Sequence, residues 1–241
     1  MTVLVTGGGG FLGAWIIRRL TARGIDVRVF DRREDRGIVR TIAGDIADRL
    51  DWRTGDVASA SDVSRAAEGC DFAIHLAALL TPACAENPIL GAQVNLIGTL
   101  NVFEAAKTGG MRGVAYASSA GVFGPDDGAI PFPTTHYGAF KLACEGCGRA
   151  YWEDARLSSI GFRPAIVYGP GRETGLTAGP SIACREAAAG RSYTIGYSGR
   201  ADMIYVDDVA AVFEAAATRP FEGAHAFSWL ARWPTSRTSP P

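Results

Sequence analysis

A tyrosine and a lysine four residues apart, Tyr137-Gly-Ala-Phe-Lys141, fall in a stretch that reads as a helix from Tyr137 to about Ala155. On a helix, positions i and i+4 share a face one turn apart, which brings the ammonium close to the phenol oxygen. A phenol is a poor base near neutrality. An adjacent cation favours its anion, so the pair is equipped to take a proton from an alcohol. Tyr116-Ala-Ser-Ser119 supplies a further hydroxyl at the end of an apolar strand, Gly113 to Ser118. The carboxyl ends of strands are where open α/β sheets bind their ligands.

A second group of residues indicates what that proton chemistry would serve. Thr6-Gly-Gly-Gly-Gly-Phe-Leu-Gly13 follows the apolar strand Thr2 to Thr6 and opens an amphipathic helix from Phe11 to Arg23. Gly7 permits a tight turn, Gly10 lets the backbone approach a pyrophosphate, and Gly13 lets the helix pack near the strand. The helix N-terminus then offers N–H groups and partial positive charge to the phosphates. Asp31 ends the next strand, Val27 to Phe30, where a carboxylate accepts the hydroxyls of an adenosine ribose. Its charge opposes a 2′-phosphate, so NAD is expected over NADP; Arg32 and Arg33 are the neighbours that would admit NADP.

These residues need a scaffold, and strands alternate with helices along the chain. After the first unit come a strand at Leu50 to Thr54, a helix at Ser61 to Glu68, and a buried strand at Phe72 to Leu76. A long helix from about Glu86 to Lys107, the strand at Gly113 to Ser118, the Tyr137 helix and a strand at Ser159 to Arg163 follow. Such alternation predicts an α/β fold, a Rossmann-type doubly wound parallel sheet with helices on both faces. Residues 1–168 read as the dinucleotide-binding domain. Residues 169–241 read as a small, shortened substrate lobe interleaved with it, carrying helices at Ser181 to Ala189 and, capped by Asp207, at Asp208 to Thr218. Residues 220–241 read as an irregular tail.

Composition excludes several classes of function. The 241 residues carry a formal net charge of −1, and no basic block suggests nucleic acid. No apolar run reaches membrane-spanning length, and Met1 leads directly into the first strand, so a cytoplasmic location without a membrane anchor is expected. The five cysteines are scattered and odd in number, which argues for free thiols. Cys144-Glu-Gly-Cys147 has metal-site spacing but no second ligand pair; it reads as one face of the Tyr137 helix, and no metal is expected.

With the glycine motif, Ser119, Tyr137 and Lys141 in this order, the chain resembles the NAD-dependent epimerase/dehydratase family of the extended short-chain dehydrogenase/reductase superfamily. The resemblance covers roughly residues 2–219. It includes Gly55-Asp-Val57, His75-Leu-Ala-Ala78, Asn95-Leu-Ile-Gly-Thr99, Ser118 to Gly124, Arg163 to Pro170 and Tyr205-Val-Asp-Asp-Val-Ala210. It implies that Gly7, Gly10, Phe11 and Leu12 cradle the pyrophosphate, with Asp31 and Arg32 at the ribose and Asp56 and Val57 at the adenine. Leu76, Ala77, Ala78, Asn95, Ser118, Pro164 and Val167 would flank the cofactor. Tyr137 would be the base, Lys141 would tune it and hold the nicotinamide ribose, and Ser119 would bond the reacting oxygen. His75 reads as a satisfied core histidine.

The same resemblance frames the reaction. Family dehydratases carry a threonine, aspartate and glutamate where this chain has Ser119-Ala-Gly121, which disfavours elimination. The slot for an arginine that meets a nucleotide-sugar diphosphate holds Ala201, with Arg200 one position earlier. The expected function is an NAD-dependent oxidoreductase or epimerase acting on a sugar, sugar acid or nucleotide sugar; the alternative is a dinucleotide-binding sensor or scaffold without turnover. Relatives usually continue for several dozen residues after the last helix, so weak turnover and an open pocket, or one crossed by Trp229 and Trp233, are expected here. A homodimer is expected through the long helix and the Tyr137 helix, with Leu96, Leu100 and Phe103 forming a stripe.

Overall fold

A computed structural model of the protein describes residues 1–124, 130–198 and 202–228. Strands β1 (Thr2–Thr6), β2 (Asp26–Asp31), β3 (Asp51–Thr54), β4 (Phe72–His75), β5 (Val114–Ala117) and β6 (Ser159–Arg163) form one parallel sheet in the order β3-β2-β1-β4-β5-β6. The order reverses direction between β1 and β4, and such a switch opens a crevice at the carboxyl edge. Val3, Leu4, Val5, Ala73, Ile74, Val114 and Ala115 are fully buried because helices cover both faces.

Helices α1 (Phe11–Ala22), α2 (Gly37–Ala43), α3 (Ala60–Ala67), α4 (Thr81–Glu86), α5 (Pro88–Ala92), α6 (Gly98–Thr108) and α7 (His136–Ala155) connect the strands. The expected long helix from Glu86 is interrupted. Asn87 ends α4 and caps α5 by accepting the Leu90 N–H at 3.0 Å, and Pro88 cannot continue a helix from the preceding turn. A π-helical turn at Gln93–Ile97 then joins α5 to α6.

After β6 the chain leaves the main sheet for a second, two-stranded one. Strand β7 (Ile166–Tyr168) pairs in parallel with β8 (Met203–Tyr205), and α8 (Gly179–Ala188) lies between them in sequence. Helix α9 (Val206–Thr218) begins two residues earlier than expected, with Tyr205 as its cap. Asp207 instead pairs with Arg19 of α1 at 2.9 Å, and Arg19 also meets Glu214 at 2.6 Å. Val206, Val209, Ala210 and Phe213 enter the same core as α1. The segment read as an irregular tail from residue 220 contains β9 (Ala224–Ser228), which adds to the open edge of β6 in parallel register, Ser159 opposite Ala224. An unpaired strand edge is satisfied by any extended segment that reaches it, and the helix before β9 delivers this one there. Trp229, Trp233, Arg200 and Ala201 lie outside the described residues, as does all of 229–241.

Candidate active site

The glycine turn has the geometry a pyrophosphate requires. Gly7 sits at φ +68°, and a side chain there would meet Ala77 N at 2.7 Å. At Gly13 a Cβ would lie 2.6 Å from Gly8 Cα, so α1 can start this close to β1 only with glycine. The first backbone bond into the helix runs from Ala14 N–H to the Gly10 carbonyl at 3.0 Å, which leaves the N–H groups of Phe11, Leu12 and Gly13 open at its start. Gly10 is exposed, and a Cβ on it would meet only the Gly7 carbonyl. Asp31, at the end of β2, accepts the Gly9 N–H at 3.0 Å and the Arg32 N–H at 2.7 Å, while the Arg32 side chain is exposed. The donor set and the clear approach fit a dinucleotide.

The residues expected at the adenine stand in the loop after β3. Asp56 accepts the Ala58 N–H at 2.9 Å, and its own N–H donates to Asp62 Oδ2 at 3.0 Å. Val57 is buried against Gly98, where a Cβ would come within 2.8 Å of it, and Asn101 donates to the Val57 carbonyl at 2.9 Å.

A buried polar chain fixes the loop after β4. Leu76 and Ala77 donate their N–H groups to Thr6 Oγ1, both at 3.3 Å, and Thr6 Oγ1 lies 2.7 Å from His75 Nδ1. On the other side of the ring, His75 Nε2 lies 3.0 Å from Thr99 Oγ1, whose proton goes to the Asn95 carbonyl at 2.6 Å. Thr99 therefore accepts, His75 carries its proton on Nε2, and Thr6 donates to Nδ1. Burial, with a smaller contribution from Lys141, pushes the His75 pKa down to about 3, so the ring is neutral. His75 is the core histidine expected. Asn95, expected beside the cofactor, is fully buried and clamps Leu79 instead, accepting its N–H at 2.7 Å and donating to its carbonyl at 2.9 Å. Leu76, Ala77 and Ala78 are thereby presented, half-buried, at the carboxyl edge.

The candidate acid–base residues converge at the end of β5. Ser119 opens a short 3₁₀ turn, Ala120–Val122, and accepts the Gly121 N–H at 3.0 Å. That turn packs on the first turn of α7: a Cβ on Gly138 would collide with the Gly121 carbonyl, and one on Gly121 would lie 3.3 Å from Ser119 Oγ and 4.0 Å from the Tyr137 ring. Two glycines thus let the Ser119 turn meet the turn of α7 that carries Tyr137. Lys141 is buried, donates from Nζ to the Ala117 carbonyl at 2.6 Å, and holds Nζ 5.6 Å from the Tyr137 ring centroid.

Two residues expected to flank the cofactor are used differently. Ser118 is buried and donates to Glu145 Oε1 at 2.5 Å; Glu145 in turn receives Arg163 Nε at 2.8 Å and Nη2 at 2.5 Å. Val167 points into the core with Val206 and Val209. Pro164 remains half-exposed and its carbonyl accepts the Ala120 N–H at 3.0 Å, tying β6 to the Ser119 turn. The Ser118–Glu145–Arg163 group was missed from sequence. Its one signal is Glu145 lying a turn beyond Lys141 on the same helix face. Cys144 and Cys147 sit on α7 as expected, the first buried and the second half-buried.

Comparison with known proteins agrees with this geometry. Residues 3–229 match the model of the NAD dependent epimerase/dehydratase family. UDP-glucose 4-epimerase of Mycolicibacterium smegmatis is 32% identical over 225 residues, 88% of this chain and 72% of that protein. Human 3 beta-hydroxysteroid dehydrogenase type 7 is 31% identical over 193 residues, 72% of this chain and 52% of that one. Among solved structures, the UDP-glucose 4-epimerase of Thermus thermophilus in complex with NAD superposes with a TM-score of 0.78 at 28% identity, covering 95% of this chain and 77% of that one. The glycine turn, the sheet order and the grouping of Ser119, Tyr137 and Lys141 thus have one common explanation: the chain belongs to the NAD dependent epimerase/dehydratase family, as one of its NAD-dependent enzymes.

Proposed function

We propose that the protein is an NAD-dependent oxidoreductase or epimerase whose substrate is a sugar, a sugar acid or a nucleotide sugar, with Tyr137 as the base. The observation that carries this reading is the grouping of Ser119, Tyr137 and Lys141 after β5, at the same carboxyl edge of the parallel sheet as the glycine turn after β1. The bound dinucleotide supplies a hydride acceptor. Tyr137 takes the proton of the substrate hydroxyl, and the Lys141 ammonium, anchored on the Ala117 carbonyl, stabilises the phenolate. Ser119 Oγ accepts the Gly121 N–H, so its own proton is available to the reacting oxygen. The two small residues after Ser119, Ala120 and Gly121, bring no carboxylate for an elimination, which favours oxidation, reduction or epimerisation.

Asp31 and the N–H groups at the start of α1 take the adenosine ribose and pyrophosphate in this reading, Asp56 and Val57 the adenine, and Leu76 to Ala78 and Pro164 the remaining walls. A homodimer through the segment from α5 to α6 and through α7 is part of the proposal, supported by the exposed apolar side chains of Ile89 (72% exposed), Leu90 and Ile97. Phe103, expected in that stripe, is fully buried and stacks on Tyr151 at 4.9 Å, so it serves the core. The test is a panel of sugars, uronic acids and nucleotide sugars incubated with NAD and NADP, followed by reduced-nicotinamide absorbance and by product stereochemistry. Turnover of at least one member is expected; NAD binding with no turnover across the panel would refute the substrate assignment.

A further inference from the structure

Arg172 is an arginine with a buried nitrogen and no counter-ion among the described residues. The turn that carries it, Gly169 to Arg172, follows β7 and docks on the nucleotide-binding half: Trp15 Nε1 donates to the Pro170 carbonyl at 3.1 Å. A Cβ on Gly171, at φ +91°, would touch Ile38 of α2 at 3.2 Å. This docking sets the Arg172 guanidinium carbon 5.7 Å from the ring centroid of Phe11, the first residue of α1. One terminal nitrogen donates to Thr177 Oγ1 at 2.8 Å, but the Nε–H is buried without a hydrogen-bond partner among the described residues.

Its electrostatic surroundings differ from those of three other partly buried arginines. Arg19, Arg28 and Arg163 each sit against a carboxylate that holds the guanidinium pKa up. Arg172 is shifted the other way, by burial. A desolvated cation left uncompensated is costly, and an anion delivered to it removes that cost.

We infer that Arg172 binds the pyrophosphate of the dinucleotide, completing from the substrate side the anion site that the N–H groups of Phe11 and Leu12 begin. The inference rests on the cofactor reading above. The guanidinium lies beside the residue that opens α1, and a planar fork of donors suits phosphate oxygens. Bound pyrophosphate would then join residues 169–177 to α1 a second time, beside the Trp15–Pro170 contact.

The experiment compares the parent with Arg172→Gln and Arg172→Lys by calorimetry with NAD and with adenosine, and by thermal unfolding without ligand. Arg172→Gln is expected to weaken NAD about tenfold or more, with Arg172→Lys recovering part of the loss, because a point charge replaces the fork. Adenosine, which lacks the pyrophosphate, is expected to bind all three proteins equally. Unfolding without ligand is expected at an unchanged or higher temperature in Arg172→Gln, since an uncompensated buried charge has gone. NAD binding unchanged by Arg172→Gln overturns the inference, as does an equal loss for adenosine or a destabilised ligand-free variant, either of which makes the role structural. A parent that does not bind NAD refutes the cofactor reading itself, a result separable from a parent and a variant that bind NAD alike.

Discussion

Glu145→Ala is the substitution with the most definite cost. The Glu145 side chain is 1% exposed and its carboxylate accepts three hydrogen bonds, one from Ser118 and two from Arg163. Removing it leaves the Arg163 guanidinium, 15% exposed and lying over the Phe123 ring, without its counter-charge, and leaves the buried Ser118 hydroxyl without an acceptor. Breaking one side of a buried ion pair costs about 3–5 kcal/mol. An orphaned hydroxyl adds about 1–3 kcal/mol, part of which overlaps the first figure because Ser118 can turn to another acceptor. A loss of about 4 kcal/mol is therefore expected, roughly 8–16 °C in melting temperature for a chain of this size. The assay is urea unfolding, with thermal melts followed by circular dichroism. Replacing both partners with apolar residues, Glu145→Leu with Arg163→Met, should recover most of the loss, since no charge is then stranded. A single variant that loses less than about 1 kcal/mol, or a double variant no better than the single, would refute the reasoning that places an ion pair at the centre of this end of α7.

Tyr137→Phe removes the proposed base while keeping the ring packed, so turnover should fall roughly 10²- to 10⁴-fold with NAD affinity retained; an active phenylalanine variant would make Tyr137 a packing residue. Asp31→Ala removes the charge that opposes a 2′-phosphate and should narrow the preference for NAD over NADP in calorimetry, whereas an unchanged ratio would move cofactor choice elsewhere. His75 gives a pH dependence. Its folded pKa is depressed to about 3, so between that pH and about 6.5 the unfolded chain binds a proton that the folded chain does not. Folding stability of the parent relative to His75→Gln should therefore hold above about pH 6.5 and decline by about 1.4 kcal/mol per pH unit below it. Urea unfolding of both proteins from pH 7 to pH 4 measures the difference, and a flat difference would show that the ring is not buried neutral.

Much of the site was legible because its chemistry is local. The glycine turn depends on backbone conformation and close approach within a few residues, and Tyr137 and Lys141 are placed by the period of one helix. Asp31 follows directly from the end of its strand. The alternation of apolar strands with helices was likewise sufficient for a parallel sheet with helices on both faces. Tertiary structure decided whatever depends on partners distant in sequence. Asn95 and Ser118 carry polar groups that suit a ligand as well as a neighbour, and only the fold brings Leu79 to the one and Glu145 to the other. Strand β9 has no strong period of its own; the open edge of β6 recruits it once α9 has packed on α1. Arg172 lies in a glycine-rich turn without regular structure, and its uncompensated charge arises because Trp15 and α2 hold that turn against the start of α1. Local sequence sets conformation over a few residues, whereas burial and charge compensation are set by whatever the rest of the chain places alongside.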